Sequence, residues 1–256
     1  MTSTHTADLC YTEATVNHVI SHINNIDLDT TQAKVRYHVV ELGAGTGNMT
    51  SLIHPRLPQC RYLATEPRSD FLSVLTSQQP EVKTSLNSAA NIPVEDHSVG
   101  CVVCAQSFHW FHGGKNLKEI HRVLTPGGKL IIVMNLKDFR HGWMRGVVYA
   151  QRERVFARAG GSMAALLGSG EWRAELTSSP LFALDSHVTL PGVEFRGEME
   201  EILNNLTAVS AYGRLSRKEF DRCKDELRQM LTSWPGVDVF DISIPYTSEI
   251  YVYVAK

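Results

Sequence analysis

The feature that most constrains this chain is the run Val39-Val40-Glu41-Leu42-Gly43-Ala44-Gly45-Thr46-Gly47-Asn48, an apolar strand pattern that flows straight into glycines at alternate positions. Backbone without Cβ atoms can turn sharply and admit a ligand closely, so such a loop is expected at the tip of a buried strand. A helix from Asn48 to about Leu57 is expected to follow, with its first amides aimed at the same place. The spacing also excludes a reading. A dinucleotide-binding turn needs G-x-G-x-x-G or alanine, and that last position is Asn48 here, which argues against a nicotinamide-dependent oxidoreductase.

A second strand pattern, Tyr62-Leu63-Ala64-Thr65-Glu66-Pro67, ends in an acid about twenty residues beyond the loop, where a carboxylate can accept hydrogen bonds from both hydroxyls of a bound ribose. Glu66 is therefore the candidate ribose ligand; the competing reading is a solvated strand-end acid. Strands are expected at Tyr37 to Leu42, Arg61 to Glu66, Val82 to Ser85, Cys101 to Gln106 and Lys129 to Asn135. Helical segments alternate with them, which is the pattern of an α/β protein with a mostly parallel sheet covered on both faces. The helix Lys115 to Leu124 carries Leu117, Ile120 and Leu124 on one face and stops at Thr125-Pro126-Gly127-Gly128.

After Asn135 the rhythm breaks. Trp143 to Ala157, Glu198 to Leu206 and Ser216 to Leu231 are amphipathic, and the last opens with a capping box, Ser216-x-x-Glu219. These are expected to be cover helices inserted after the fifth strand. Val239 to Pro245 and Glu249 to Ala255 are β-rich runs separated by a short turn, expected to close the sheet. One domain is expected over 1–256: an arm 1–34 holding one helix on Val16, Val19, Ile20 and Ile23, a core 35–135, a helical cover 136–235 and a closing β segment 236–256.

A formal charge of −2 implies no general attraction to nucleic acid or anionic lipid. The longest apolar stretch, Leu130 to Met134, is too short to cross a bilayer, and the first thirty residues show no signal-peptide pattern. A soluble, cytoplasmic chain, monomeric or weakly dimeric, is expected. Five scattered cysteines argue against a secreted disulfide framework. Cys101 and Cys104 form a C-x-x-C, but on a strand that spacing sends their side chains to opposite faces, so a redox or zinc half-site is not expected.

The glycine spacing G-x-G-x-G, with Glu41 before it, Glu66, Asn91-Ile92-Pro93 and Gln106-Ser107-Phe108-His109-Trp110-Phe111, resembles the class I S-adenosylmethionine-dependent methyltransferases. Within them the chain resembles the type 11 methyltransferase family, including its trans-aconitate methyltransferase-like members, over about Tyr37 to Asn135. The resemblance implies a Rossmann-like seven-stranded sheet, S-adenosylmethionine as cofactor and methyl transfer to a small-molecule acceptor, with a carboxylic acid as one candidate. It further implies that Glu41 and the backbone of Gly43, Ala44, Gly45, Thr46 and Gly47 face the amino-acid end of the cofactor. Glu66, with Pro67 beside it, would meet the ribose, Ser88, Ala89 and Ala90 the adenine, and Gln106 and Ser107 the methionine portion. The chain departs from the family at Asn87, Ala90 and Gly100, where relatives commonly carry a glycine, a glutamate and an acid, and its arm lacks their Arg-Pro-x-Tyr-Pro element. Those losses support a second reading, a catalytically idle S-adenosylmethionine-binding protein used for partner contacts.

Methyl transfer needs an in-line approach to a sulfonium, so positioning and water exclusion supply most of the acceleration. A carboxylate acceptor needs no base; a phenol, amine or hydroxyl profits from one. His109 is the candidate base or acceptor-orienting group, set against a structural histidine hydrogen-bonded under Trp110. His109 and His112 lack the further ligands a zinc site needs. Phe108 and Trp110, with Phe111, are expected as core or pocket wall. Arg140 and Arg145, with His141 and Arg214, are read either as cations for an acidic acceptor or as solvated surface.

Overall fold

The computed structural model describes residues 11–25, 35–140, 142–151, 155, 170–208, 212 and 215–256. Strands β1 (Tyr37–Leu42), β2 (Tyr62–Thr65), β3 (Lys83–Ser85), β4 (Val99–Ala105), β5 (Leu124–Lys137), β6 (Phe182–Gly197) and β7 (Ile242–Ala255) form one seven-stranded sheet in the order β3-β2-β1-β4-β5-β7-β6. β1 pairs in parallel with both β2 and β4, β2 with β3, and β4 with β5. The chain builds outward from β1 through β2 to β3 and then returns to place β4 on β1's other side. The order reverses between β1 and β4, and in open α/β sheets ligands bind outside the carboxyl ends of the strands at that point. β2 is buried at every residue and β4 at all but Ala105, as expected of parallel strands covered on both faces.

Two compact units emerge: 10–135 with 171–191 and 248–256, and 1–9 with 136–170 and 192–247. The first holds α1 (Glu13–Asn24), α2 (Thr50–Ile53), α3 (Ser69–Gln78), α4 (Gly114–Val123) and most of α6 (Gly170–Ser178). Thr12 caps α1 through the Thr15 amide, and Val16, Val19 and Ile23 are buried. Together with Val39, Cys101 and Ile131 they join the core of this unit. Cys101 and Cys104 are both free thiols, fully buried on β4, with burial pushing both up. The second unit holds α5 (Gly142–Gln151), α7 (Met199–Thr207) and α8 (Arg217–Ser233), so all three amphipathic segments contain helices. Met144, Ile202, Leu203, Leu227 and Leu231 pack among them. The capping box at Ser216 and Glu219 forms, and Glu198 with Glu201 makes a second one at the start of α7.

Four expectations need correction. The helix expected from Asn48 to Leu57 is only α2 followed by a 3-10 turn over His54–Arg56, because Pro55 supplies no amide hydrogen to continue it. Thr125-Pro126-Gly127-Gly128 is part of β5 rather than a turn before it. It is absorbed as a bulge: the β4 register jumps between Val99 and Cys101, Gly127 takes φ +76°, and a Cβ on Gly128 would stand 2.8 Å from the Thr125 carbonyl oxygen. The closing segment is one strand, not two runs around a turn. Its polar middle is satisfied in place, since Ser248, fully buried, donates its hydroxyl to Asn135 Oδ1 at 2.7 Å. The fourth is β6, a 16-residue strand inside the stretch expected to be helical. It ends the sheet order, and an edge strand that faces water carries charges and a proline, here Asp185, Glu194, Arg196 and Pro191, instead of an apolar run.

Candidate cofactor and active site

The glycine loop leaves β1 with φ of +67° at Gly43, +60° at Gly45 and +95° at Gly47, a left-handed conformation that L side chains adopt at a cost. The three glycines meet different surroundings. A Cβ on Gly43 would lie 2.7 Å from Ser107 Cβ, and one on Gly47 would lie 2.4 Å from Leu75 Cδ1 and 2.7 Å from Gln79 Nε2. A Cβ on Gly45 would meet nothing within 4 Å. The loop is thus pressed against β4's tip at one end and α3 at the other, with open space at its middle. Ala44 N–H donates to the Thr65 carbonyl at 3.0 Å, which ties the loop to β2.

Glu66 sits past the tip of β2 and is 5% exposed, so the solvated reading does not hold. Its Oε2 accepts from Gly45 N–H at 2.9 Å and its Oε1 from Arg68 N–H at 3.0 Å. Each oxygen keeps a further lone pair, so the carboxylate is oriented and can still accept from two ligand hydroxyls. Pro67 beside it is exposed.

Glu41 is 1% exposed, and its Oε2 accepts from Thr50 Oγ1 at 2.5 Å and Tyr62 Oη at 2.6 Å. The carboxyl is therefore held inside the fold by two hydroxyls. Burial pushes its pKa up to about 7 against the opposing pull of those two hydrogen bonds.

At the other side of the switch point, Gln106 follows β4 with φ +54°, a strained conformation for a residue with a side chain. Its amide N–H donates to the Val133 carbonyl at 2.8 Å and its Nε2 to the Asn135 carbonyl at 3.1 Å. Ser107 donates its hydroxyl to the Leu42 carbonyl at 2.6 Å, which fastens β4's tip over Gly43. In the loop after β3, Ala89 is buried, Ala90 half-buried and Ser88 exposed. Sequence reasoning missed what fixes the segment after them. Glu119 accepts the Ile92 N–H at 2.8 Å, and Arg122 binds Glu119, Asp96 and the carbonyls of Ile92 and Val94. Arg122 holds the Glu119 carboxyl below its ordinary range. Their i, i+3 spacing on α4 was the available signal.

Phe108 is fully buried, edge-on to Phe111 and to Trp172, each at 5.6 Å. Trp110 is not core: it is 79% exposed, because the 3-10 turn Phe108–Trp110 turns Phe108 inward and the residue two further on outward. His109 lies 4.9 Å from the Trp110 ring, and its Nδ1 is buried without a hydrogen-bond partner among the described residues. Burial first, and His112 second, lower its pKa, so the imidazole is neutral at neutral pH. His112 instead pairs with Glu175 at 3.2 Å. No group of three metal-ligating side chains occurs among the described residues. Arg140 binds Asp138 through Nε at 2.7 Å and Nη2 at 2.6 Å, and Arg145 is exposed; both belong to the second unit. His141 and Arg214 lie outside the described residues.

Residues 40–132 match the sequence profile of a methyltransferase domain. An uncharacterized methyltransferase of Schizosaccharomyces pombe is 42% identical over 106 residues, covering 41% of this chain and 42% of its own length. A trans-aconitate 2-methyltransferase of Variovorax paradoxus is 28% identical over 112 residues, 43% of each chain. The chain thus spans less than half the length of the curated relatives it matches. A solved structure from Anaeromyxobacter dehalogenans, described as a candidate type II methyltransferase, superposes with a TM-score of 0.62 at 18% identity over 96% of each chain. No described helix is long and apolar enough to cross a membrane. Residues 40–132 thus match a methyltransferase domain, and they lie on a mostly parallel seven-stranded sheet of the Rossmann-like fold that the Anaeromyxobacter dehalogenans structure shares.

Proposed function

We propose that the chain binds S-adenosylmethionine across the tips of β1, β2 and β4 and transfers its methyl group to a small-molecule acceptor. The observation that carries this is the junction of Gly45 and Glu66: a positive-φ glycine facing open space, with its amide fixed to a buried carboxylate that retains acceptor capacity. Those residues fit the group. The glycine admits a ligand, Glu66 suits vicinal hydroxyls, and the strained Gln106 with Ser107 closes the β4 side. S-adenosylmethionine, when bound there, would supply an electrophilic methyl group on a sulfonium.

His109, neutral and with a bare Nδ1, is suited to receive a proton from the acceptor or to orient it. The finer reading is a carboxylic acid acceptor, which the trans-aconitate 2-methyltransferase relative favours. Phe108 and Trp110 flank His109 in this reading.

The test uses methyl-labelled S-adenosylmethionine with a yeast metabolite extract. Wild-type protein is expected to transfer label, and Glu66→Ala to lose S-adenosylhomocysteine affinity by about 100-fold on calorimetry, since two charge-assisted hydrogen bonds go. His109→Gln separates a base from an onlooker, a base being worth about 10² to 10⁴ in rate. Label that alkali releases as methanol marks a methyl ester. Tight cofactor binding with no label transfer defeats the enzyme reading.

A further inference from the structure

One buried group near the strand tips takes no part in the proposed cofactor site. Asn135, at the carboxyl end of β5, is 6% exposed, and its Nδ2 has no hydrogen-bond partner among the described residues. The rest of the side chain is fixed. Oδ1 accepts from Ser248 Oγ at 2.7 Å, and Ser248 is itself fully buried on β7. Asn135's own carbonyl accepts from Gln106 Nε2 at 3.1 Å. The amide plane is therefore held at its oxygen end and by its backbone, while two N–H donors are left bare.

A buried, unsatisfied donor is costly and is kept out of most folds. A leucine at this point would fit the apolar strand that precedes it, Leu130 to Met134. The position of the cost is informative. The backbone carbonyl of the same residue is held by Gln106, which carries the strained φ of +54°, so strain and an orphaned donor occur in hydrogen-bonded residues at the ends of β4 and β5. Glu66 lies two strands away from β4 on the other side of the switch point, at β2. The ribose end and this end of the site are thus separated along the strand tips.

We propose that Asn135 is a specificity-determining residue for the acceptor: its Nδ2 donates to an acceptor oxygen, a carbonyl or carboxylate, with Ser248 holding the side-chain amide at Oδ1 and Gln106 fixing the backbone carbonyl. This rests on the methyltransferase reading above. A carboxamide donor recognises an oxygen that lacks a hydrogen, and it rejects an ammonium group, which offers only donors.

The test keeps the full chain and the labelled-methyl assay, with a dilution series of the yeast metabolite extract as acceptor probe. Asn135→Asp preserves the shape and the Ser248 contact while replacing both N–H donors by an oxygen. The half-saturating extract concentration is expected to rise about tenfold or more, the scale of one lost hydrogen bond plus an opposed oxygen, with S-adenosylhomocysteine affinity within about twofold of wild type. Lowering the pH should partly restore Asn135→Asp, because a protonated carboxyl donates again; a purely structural role gives no such rescue. Asn135→Ala, followed with its melting temperature, guards against a folding defect in the aspartate variant. Unchanged half-saturation in either folded variant overturns the proposal, because an internal water then satisfies Nδ2. An equal loss of cofactor affinity overturns it too, assigning Asn135 to the cofactor side. Wild-type protein that binds S-adenosylhomocysteine yet transfers no label removes the enzyme reading and the proposal together.

Discussion

Two sets of glycines, one in each unit, answer different requirements. In the unit that carries the loop, Gly43, Gly45 and Gly47 share one turn, and each takes a positive φ. In the other unit, Gly192 and Gly146 are needed for close approach instead: a Cβ on Gly192 would stand 2.7 Å from the Tyr246 carbonyl oxygen, and one on Gly146 2.8 Å from Trp234 Cζ3. The first requirement is set by neighbouring residues in the chain and leaves a motif. The second is set by residues tens of positions away and leaves none.

Substitutions at these positions should separate the two requirements. The largest effect is expected at Gly47→Ala, where the new Cβ meets the buried Leu75 at 2.4 Å in a left-handed backbone. Overpacking and backbone strain together should cost about 3–4 kcal/mol, read from urea unfolding. A loss below about 1 kcal/mol would mean that α3 yields and that the packing there is loose.

The acid beneath the same loop gives the next effect. Burial lifts the Glu41 carboxyl from 4.5 to about 7 in the folded chain, so the folded state holds its proton more tightly than the unfolded state does. That contribution is fully present below about pH 4.5 and fades as pH rises through about 7. Its full span is about 3 kcal/mol. Histidines His18, His22, His38 and His109, all lowered by burial, act in the opposite direction, so the comparison must be differential. Glu41→Gln should remove this component, and parallel stability curves for the two proteins between pH 5 and 8 would refute it.

Gly192→Ala probes the second unit. The opposing atoms are backbone of β7 and cannot swing aside, so about 2 kcal/mol of stability should be lost while S-adenosylhomocysteine affinity stays within about twofold. A parallel loss of affinity would show that the two units are energetically coupled. The smallest stability change belongs to Gly45→Ala, where nothing lies within 4 Å and only the φ of +60° is strained, about 1 kcal/mol. Its cofactor affinity should nevertheless fall, because the methyl would enter the space offered to the ligand. Unaltered affinity there would move the cofactor away from the loop.

Much of the loop-bearing unit was legible beforehand. β1 was expected at Tyr37 to Leu42 and lies there, β3 begins one residue later than expected, and β2 and α4 differ by one residue at each end. β1 and β2 are short parallel strands, buried almost throughout and mostly apolar, and a glycine tip or a strand-end acid bounds them within a few positions. β6 was missed because its alternating exposure carries charges and Pro191, which as a string resembles a loop. The split of β7 was wrong because Thr247 and Ser248 read as a turn until Asn135 and Leu136 stand opposite them to take their hydrogen bonds. Trp110 illustrates the same limit within the site, since hydrophobicity assigns it to a core that a single 3-10 turn denies it.

By itself the sequence determined the α/β class, the glycine turn and the acid at the next strand tip, because positive φ, strand burial and the spacing between consecutive strands are requirements met locally along the chain. The tertiary structure decided the rest. It turned Glu41 inward onto Thr50 and Tyr62, bound Glu66 to the Gly45 amide, clamped the loop after β3 with Arg122 and left the Asn135 Nδ2 without a hydrogen-bond partner among the described residues. Each of these depends on which distant residue arrives opposite a polar group. That follows from the closing of the sheet and is written at no single place in the chain.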